Sequence, residues 1–557
     1  MQFHVWPWSA VGCVRETTNL EGGEVVLPYH GSPVLSVPQN SKVSTDIRHE
    51  DFLPLGCPYA HGEERYRLYR MPHAIAASRH GTGVEEEMRI IVVAHDNSRH
   101  KLYVHAEGAV PGSLRGEGEL QQAVLEWMSF FDFCVQCADA RERDAFAVPW
   151  MELPELIRMY GRDPSVQKRS LIVSIAEKMP QHVQELVRSA RRILVHERRL
   201  LPATRAAEMD PGCLQWYFRQ PGQTAMQKAS ANRQRLQGMS RRETFNTLEN
   251  RVFREFLRRC VRECRQYIRF VCAGKTDTGY GRDVSRFGSL CSELLKNPVW
   301  EDIDELESGV RPNYVLQNDV RYRRVWDLYQ KLLRKQDEED WMWAWQGRTW
   351  ADICTLLLGA SLLVMAEKNN GTVKLSPLAH AGCAFLKEQE QGRRMMRGSE
   401  PGPFLLSYRG RQAVLELVHA SQAEQHKVAS SLGCTGGTLF FVLKPLGRKK
   451  ATARAIVIWP VHTFSSTKAH DFREIQKSAE EGLARQSFFI IVRYPVARLT
   501  GLVLADAFYQ GEPDFEAGTD THLARLAAAP QFWEKNIEML TMLLDDLFMA
   551  LLENDDV

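Results

Sequence analysis

The spacing of apolar positions changes twice along the chain. Before about residue 115 the apolar runs are short and broken by Pro and Gly, as in GGEVVLPYHGSPVLSVPQN. MRIIVVAHDNSRHKLYVHAEG predicts two strands, over 89–94 and 101–106, around a polar turn containing Asp96 and Asn97. From Gly118 the apolar residues recur at helical spacing. GELQQAVLEWMSFFDFCVQCADARERDA predicts one helix. SLIVSIAEKMPQHVQELVRSARRILVHERRLL predicts another, interrupted near Pro180, whose ring removes a backbone donor. ETFNTLENRVFREFLRRCVRECRQYIRFVCAG carries the clearest pattern. Its Phe253, Phe256, Leu257, Cys260, Val261 and Cys264 form a stripe at 3.6-residue spacing. Thr247 is placed to cap that helix and Gly274 to end it. Two more helices are expected over 314–335 and 347–368.

After Glu390 the period falls to two. Strands are expected over 404–410, 412–420, 437–445, 451–464, 488–495 and 501–508, with a helix over 469–485 between the fourth and fifth. The tail PQFWEKNIEMLTMLLDDLFMALLE is a strongly amphipathic helix. Its Phe532, Ile537, Leu540, Leu543, Leu544, Phe548 and Leu551 serve either a partner or, more simply, the chain's own core. Strands around a crossover helix imply a mixed sheet. The fold class is therefore α+β and multidomain: a β-rich domain over 1–115, a helical middle over 116–345, and a mixed α/β domain over 346–557.

Composition narrows the function classes. The hydrophobic share of 44% supplies an ample core, and 71 basic against 69 acidic residues leave a net charge of +2. The whole molecule is no polycation, so nucleic-acid binding must rest on local charge. No apolar run approaches the roughly 18 residues of a membrane span, so no membrane partner is expected. The start, MQFHVWPWSAVGCV, lacks a basic n-region and a clean apolar h-region, and a cytoplasmic location is expected.

Metal and redox signals are thin. Cys134 and Cys137 form a CxxC in an apolar helical stretch with no second pair to complete a zinc set, and Cys260 and Cys264 share one helix face. Both pairs read as packing thiols. Eight of the 17 histidines fall between His30 and His105 without any metal-ligand spacing, and are expected at surfaces and turns. No GxxxxGK[ST] loop or GxSxG elbow occurs. No resident metal or cofactor is expected.

Local charge is more telling. From Pro211 to Arg242 there is no Asp or Glu, while Arg219, Lys228, Arg233, Arg235, Arg241 and Arg242 stand near Trp216, Tyr217 and Phe218. Arg188, Arg191, Arg192, Arg198, Arg199 and Arg205 precede them, diluted by Glu197. Guanidinium groups pair with phosphate oxygens and aromatic rings stack on bases. The bland alternative is a solvated basic face, or one that docks on an acidic partner. A second cluster, Arg448, Lys449 and Lys450, flanked by Lys444 and Arg454, lies in the turn between two expected strands. Trp341, Trp343 and Trp345 follow the acidic run QDEED. That run would repel phosphate, so a packed strand or loop edge is expected there rather than a stacking platform.

Three segments carry a family resemblance: Thr247-Leu248-Glu249-Asn250-Arg251, Arg311-Pro312-Asn313 with the helix that follows, and the C-terminal strand series. Over roughly residues 170 to 510 the chain resembles a bacterial family that joins an uncharacterised N-terminal domain to a PD-(D/E)XK nuclease domain. That family is related to McrC, the nuclease partner of an AAA+ motor. The resemblance implies a restriction-endonuclease-like C-terminal domain, DNA as ligand, and an AAA+ or helicase-type ATPase as partner. It also implies Mg²⁺ held by two acids on adjacent strands, with a lysine two residues after the second.

Here the sequence departs from the family. Gly436 or Gly437 stands where the first acid belongs, and Ile458, Trp459 and Pro460 stand where the second acid and the lysine belong. Neither strand carries a carboxylate. The nearest candidates are Asp352, Glu416 and Lys444, which would form a relocated site. The leading expectation is a non-catalytic, nuclease-fold subunit of an anti-phage defence-type complex that binds DNA or scaffolds a motor and an effector. A Mg²⁺-dependent endonuclease with relocated acids and a pure protein–protein adaptor are the alternatives.

Overall fold

A computed structural model describes residues 170–553 with short gaps, the longest at 462–471. Before residue 170 it describes strands between residues 4 and 107, six positions between 127 and 137, and residues 147–162. The chain divides into two compact units, Met1–Arg169 with Arg334–Val557, and Ser170–Leu333. The middle unit is thus narrower than the expected 116–345. Helix Leu153–Arg162 belongs with the C-terminal sheet, where its Leu153, Leu156 and Ile157 join the core.

The centre of the first unit is an eight-stranded mixed sheet. Its strands run in the order Val373–Pro377, Phe404–Tyr408, Arg411–His419, Leu439–Pro445, Ala453–Val461, Val496–Asp506, Thr521–Leu526 and Asp514–Glu516. Pairing is antiparallel as far as Ala453–Val461, then parallel across the next two junctions. A parallel neighbour requires a crossover, and helix Phe472–Arg493 supplies it. The element order is helix Gln346–Lys368, an antiparallel strand series, the crossover helix, and a parallel strand.

Alternation puts successive side chains on opposite faces. Leu415, Leu417, Phe441, Ile456 and Ile458 face helices Gln346–Lys368 and Trp533–Glu553. Val418, Phe440, Val442, Val457 and Trp459 face Ala479 and Leu483 of the crossover helix, and Val34, Tyr66 and Leu68 of the N-terminal strands. Ala453–Val461 is buried at every position, as a strand covered on both faces must be. Helix Trp350–Lys368 is long and apolar enough to cross a membrane, a span the run-length reading did not find, and it is buried in this core. The terminal helix likewise spends its apolar stripe internally, through Ile537, Leu540, Leu543, Leu544, Phe548 and Leu551.

Two expectations fail for a physical reason. Residues 488–493 of the strand expected over 488–495 are the last part of helix Phe472–Arg493, which therefore runs past the expected end at 485; 494 and 495 lie outside the described residues. FFIIVR is a continuous apolar run, and such a run has no period to separate strand from helix. Conversely, the helix expected to continue past Arg188 stops there, and Ile193–Pro202 is a strand. The acidic run and tryptophans, expected as a strand or loop edge, continue the helix Val320–Ala344; Trp345 lies outside the described residues.

The middle unit packs around helix Leu248–Gln266. Thr247 caps it, its hydroxyl accepting from the Asn250 N–H. A π-helical turn, Tyr267–Val271, continues it, and Gly274 lies outside the described residues. Phe253, Phe256, Leu257, Cys260 and Cys264 are buried against Val284, Phe287, Cys291 and Trp300. Each buried apolar side chain contributes roughly 2 kcal/mol before entropy is counted. Gly288 allows helix Gly279–Leu294 to close on that stripe, because a Cβ there would stand 2.9 Å from the Cys264 Cβ. Burial pushes the Cys260 thiol well above its ordinary range, as expected of a core thiol rather than a reactive one.

Candidate functional site

The positions that the resemblance assigns to a metal are packed shut. Gly436 ends a 3₁₀ turn in left-handed geometry, φ 72°, where a side chain would be strained. A Cβ on Gly437 would stand 2.4 Å from Val457 Cγ1 and 2.9 Å from the Phe440 ring. Trp459 is fully buried, and its indole N–H donates to the Thr435 carbonyl at 3.1 Å. Ile458 lies in the core on the opposite face. A carboxylate at any of these places would lose its hydration without a partner, and Mg²⁺ has no oxygen ligands to replace its water. The residues present do not fit the ion.

Glu416 and Lys444 do come together, on neighbouring antiparallel strands. The Lys444 ammonium donates to Glu416 Oε2 at 2.6 Å. A third residue, His426, completes the cluster, its Nε2 lying 2.9 Å from the same oxygen. His426 Nδ1 accepts from the Ala429 N–H at 3.1 Å, capping helix Lys427–Leu432, so Nε2 carries the proton and donates to Glu416. The hydrogen bond from His426, reinforced by Lys444, lowers the Glu416 carboxyl to about 2 against the opposing effect of burial. A carboxylate with two donors on one oxygen anchors a helix start to the sheet.

Asp352 is not part of this cluster. It extends from helix Gln346–Lys368, which covers the Leu415 and Leu417 face, whereas Glu416 projects from the other. The sheet stands between them, and the relocated Asp352–Glu416–Lys444 site is not assembled. Among the described residues no group of three or more His, Cys, Asp or Glu is placed to hold a metal. Arg448, Lys449 and Lys450 lie outside the described residues.

The basic segment of the middle unit is built differently. Ile193–Pro202 and Arg235–Thr244 pair antiparallel over ten residues as an isolated two-stranded ribbon. Helices Pro211–Arg219 and Ala225–Ala231 lie between its strands in the chain. Every residue from Leu194 to Leu200 is exposed. The second strand is covered from its far end to its middle: Leu236 and Gly238 are buried, Gln237, Met239 and Ser240 are half-buried, and the Met239 N–H donates to the Glu208 carbonyl at 2.8 Å; a Cβ on Gly238 would meet Ala206 at 3.3 Å.

A buried polar network holds the root of this ribbon, and it unites two of the segments that carry the resemblance. Glu249, only 1% exposed, is ion-paired with Arg191 and accepts from Asn313 Nδ2 at 2.9 Å. Asn250 donates to the carbonyls of Arg191 and Phe245, both at 2.8 Å, and accepts from the Tyr322 hydroxyl at 2.7 Å. The Arg191 N–H donates to that same hydroxyl at 3.0 Å. Residues 191 and 245 flank the ribbon, so the Thr247–Arg251 motif clamps both strands to helix Leu248–Gln266. The motif is architectural, and its polar groups are saturated as burial requires.

The candidate basic residues have separate fates. Lys228 is 6% exposed; its ammonium donates to the Tyr217 carbonyl at 2.8 Å and lies 4.6 Å from the Tyr217 ring, closing the end of helix Pro211–Arg219. It is spent internally. Arg241 pairs with Glu208 at 2.9 Å, Arg242 with Asp302 at 2.8 Å, and Arg192 with Glu243 at 3.1 Å. All six side chains are well exposed, and such pairs contribute about 0–1 kcal/mol. Arg198 is held harder, because Asp210 both pairs with it and accepts from the Cys213 N–H at 2.8 Å. Arg198 and that backbone donor keep the Asp210 carboxyl below the usual carboxylate range. Arg219 and Arg235 are exposed, and Arg233 lies outside the described residues.

The sequence reading missed the ribbon, His426 and the clamp. Ile193 and Val195 are β-branched and Pro202 ends their run, a signal masked by the helix directly before it. Nothing local in the sequence joins Arg191, Glu249, Asn313 and Tyr322.

A family model described as a domain of unknown function (DUF2357) matches residues 162–329, nearly the extent of the middle unit. No curated protein matches the chain.

Proposed function

We propose that this protein binds nucleic acid without hydrolysing it, on a framework derived from a PD-(D/E)XK nuclease. The observation that carries the reading is the packing at Gly437, Val457 and Trp459, which leaves no room for a carboxylate where the nuclease chemistry needs one. The order of helix, antiparallel strands, crossover helix and parallel strand supports the nuclease ancestry. The basic ribbon supports the ligand. From Arg191 to Thr244 eleven Arg and Lys face four Asp and Glu, a local net of +7 in a chain of +2. A role in an anti-phage defence complex, in the cytoplasm and beside an AAA+ or helicase-type motor, follows from the resemblance to the McrC-related family. An endonuclease with relocated acids is disfavoured by the separation of Asp352 from Glu416.

The test uses the purified full chain. Supercoiled plasmid incubated with Mg²⁺ or Mn²⁺ is expected to stay intact, and labelled DNA to be retained at low salt. If six phosphates are engaged, the logarithm of affinity falls against the logarithm of salt with a slope of about −5. Cleavage that disappears on Asp352→Ala or Glu416→Ala would overturn the non-hydrolytic reading. Absence of DNA retention at low salt would leave an adaptor role in its place.

A further inference from the structure

We propose that the ribbon Ile193–Pro202/Arg235–Thr244 enters the major groove of B-form duplex DNA. This rests on the nucleic-acid reading above and narrows it to one ligand form and one binding element.

A two-stranded ribbon is marginal by itself and ordinarily buries one face. This one is exposed along Leu194–Leu200 and held by its root, through the Glu249–Asn250 clamp. The face opposite Leu236 and Gly238 keeps Leu194, His196 and Leu200 open to a ligand. The B-form major groove, about 12 Å wide, admits a two-stranded ribbon, whereas the deep and narrow A-form groove of RNA does not.

Residues paired across the strands share a face. One face presents Leu194 opposite Glu243, His196 opposite Arg241, Arg198 opposite Met239, and Leu200 opposite Gln237. His196, Gln237 and Arg241 offer hydrogen-bonding groups of the kind that read base edges. Leu194 and Leu200, 63% and 53% exposed, are apolar groups suited to thymine methyls and poorly suited to water. Arg192, Arg241 and Arg242 sit in exposed ion pairs that exchange for phosphates at little cost. Arg198 stays with Asp210 and stiffens the far half of the ribbon. The local charge of +7 complements a duplex, where negative charge is dense.

The experiment compares the full chain on a 24-base-pair DNA duplex, an RNA duplex of matching sequence, single-stranded DNA, and polyglutamate. The expected result is binding to duplex DNA at least tenfold tighter than to the other three. Guanine N7, which lines the major groove, should be protected from methylation. Gln237→Ala and Leu200→Ser, each with an unchanged melting temperature, are expected to lower duplex affinity about three- to tenfold; if one fails to fold, the other carries the test. Equal binding to both duplexes and the single strand, without N7 protection, would overturn the groove proposal and leave nucleic-acid binding standing. Polyglutamate bound as tightly as duplex DNA would overturn it in favour of an acidic protein partner. Binding to no nucleic acid at all would sink both readings.

Discussion

The strand Ala453–Val461 and the ribbon strand Ile193–Pro202 are near equals in length and opposites in environment. The first is buried at every position, the second exposed along almost all of it. The first lies at positions that the resemblance assigns to metal ligands, the second amid basic residues. The contrast shows that the surroundings of a strand, more than its length, set what its residues can do. Gly437, Val457 and Trp459 interlock in a closed core, where a carboxylate would have no partner. The ribbon instead leaves Leu194 and Leu200 open to solvent.

The strongest attempt to break this contrast is Gly437→Asp. A carboxylate there meets Val457 and the Phe440 ring without a charge partner, and a loss of roughly 4 kcal/mol or more in urea unfolding is expected. Recovery of Mg²⁺-dependent cleavage by a well-folded Gly437→Asp protein would mean that the position is open after all. Next in size, Asn250→Ala strips partners from the Tyr322 hydroxyl and from the Arg191 and Phe245 carbonyls. About 3 kcal/mol should be lost, together with protection of ribbon amides in hydrogen exchange. Unaltered exchange would show that the clamp does not hold the ribbon.

Charge reversal at Arg241 and Arg242 should weaken DNA binding about thirtyfold at low salt and flatten the salt slope by about two units. Because both ion pairs are exposed, urea unfolding should move by less than about 0.5 kcal/mol. A large stability change would place these arginines with Lys228 as structural cations. The smallest effect concerns Glu416. Its folded carboxyl lies near 2 and its ordinary value near 4.5, so its contribution is complete above about pH 4.5 and is lost as pH falls towards 2. The shift sets a ceiling of about 3 kcal/mol, and partial exposure reduces this to about 1–2 kcal/mol. Glu416→Gln should flatten the stability–pH curve in that window, and a curve unchanged by the substitution would mean that the cluster is not what holds the helix start.

Much of the architecture was legible in local patterns. The Phe253–Cys264 stripe, the Thr247 cap and five of the six C-terminal strands overlap the positions where periodicity and side-chain chemistry put them, since these signals act within one or two turns of chain. FFIIVR was misread because an unbroken apolar run has no period, and Ile193–Pro202 because it directly continues a helical pattern. Of the candidate site, Glu416 and Lys444 could be named but not their partner. His426 reaches them only because its helix starts beside the sheet.

The sequence by itself determined the mixed α/β character of the C-terminal region, the absence of carboxylates from residues 437–445 and 451–464 and the basic bias before residue 244. These depend on composition and short-range order alone. Only the tertiary structure decided which charges are available. It buried Lys228 against the Tyr217 and Phe218 carbonyls, set Asp352 and Glu416 on opposite sides of a sheet, and raised the ribbon into solvent on a clamp drawn from residues over a hundred positions apart. Charge and hydrogen-bonding capacity belong to the residue. Whether water, a neighbour or a ligand satisfies them is settled by contacts that no stretch of sequence contains.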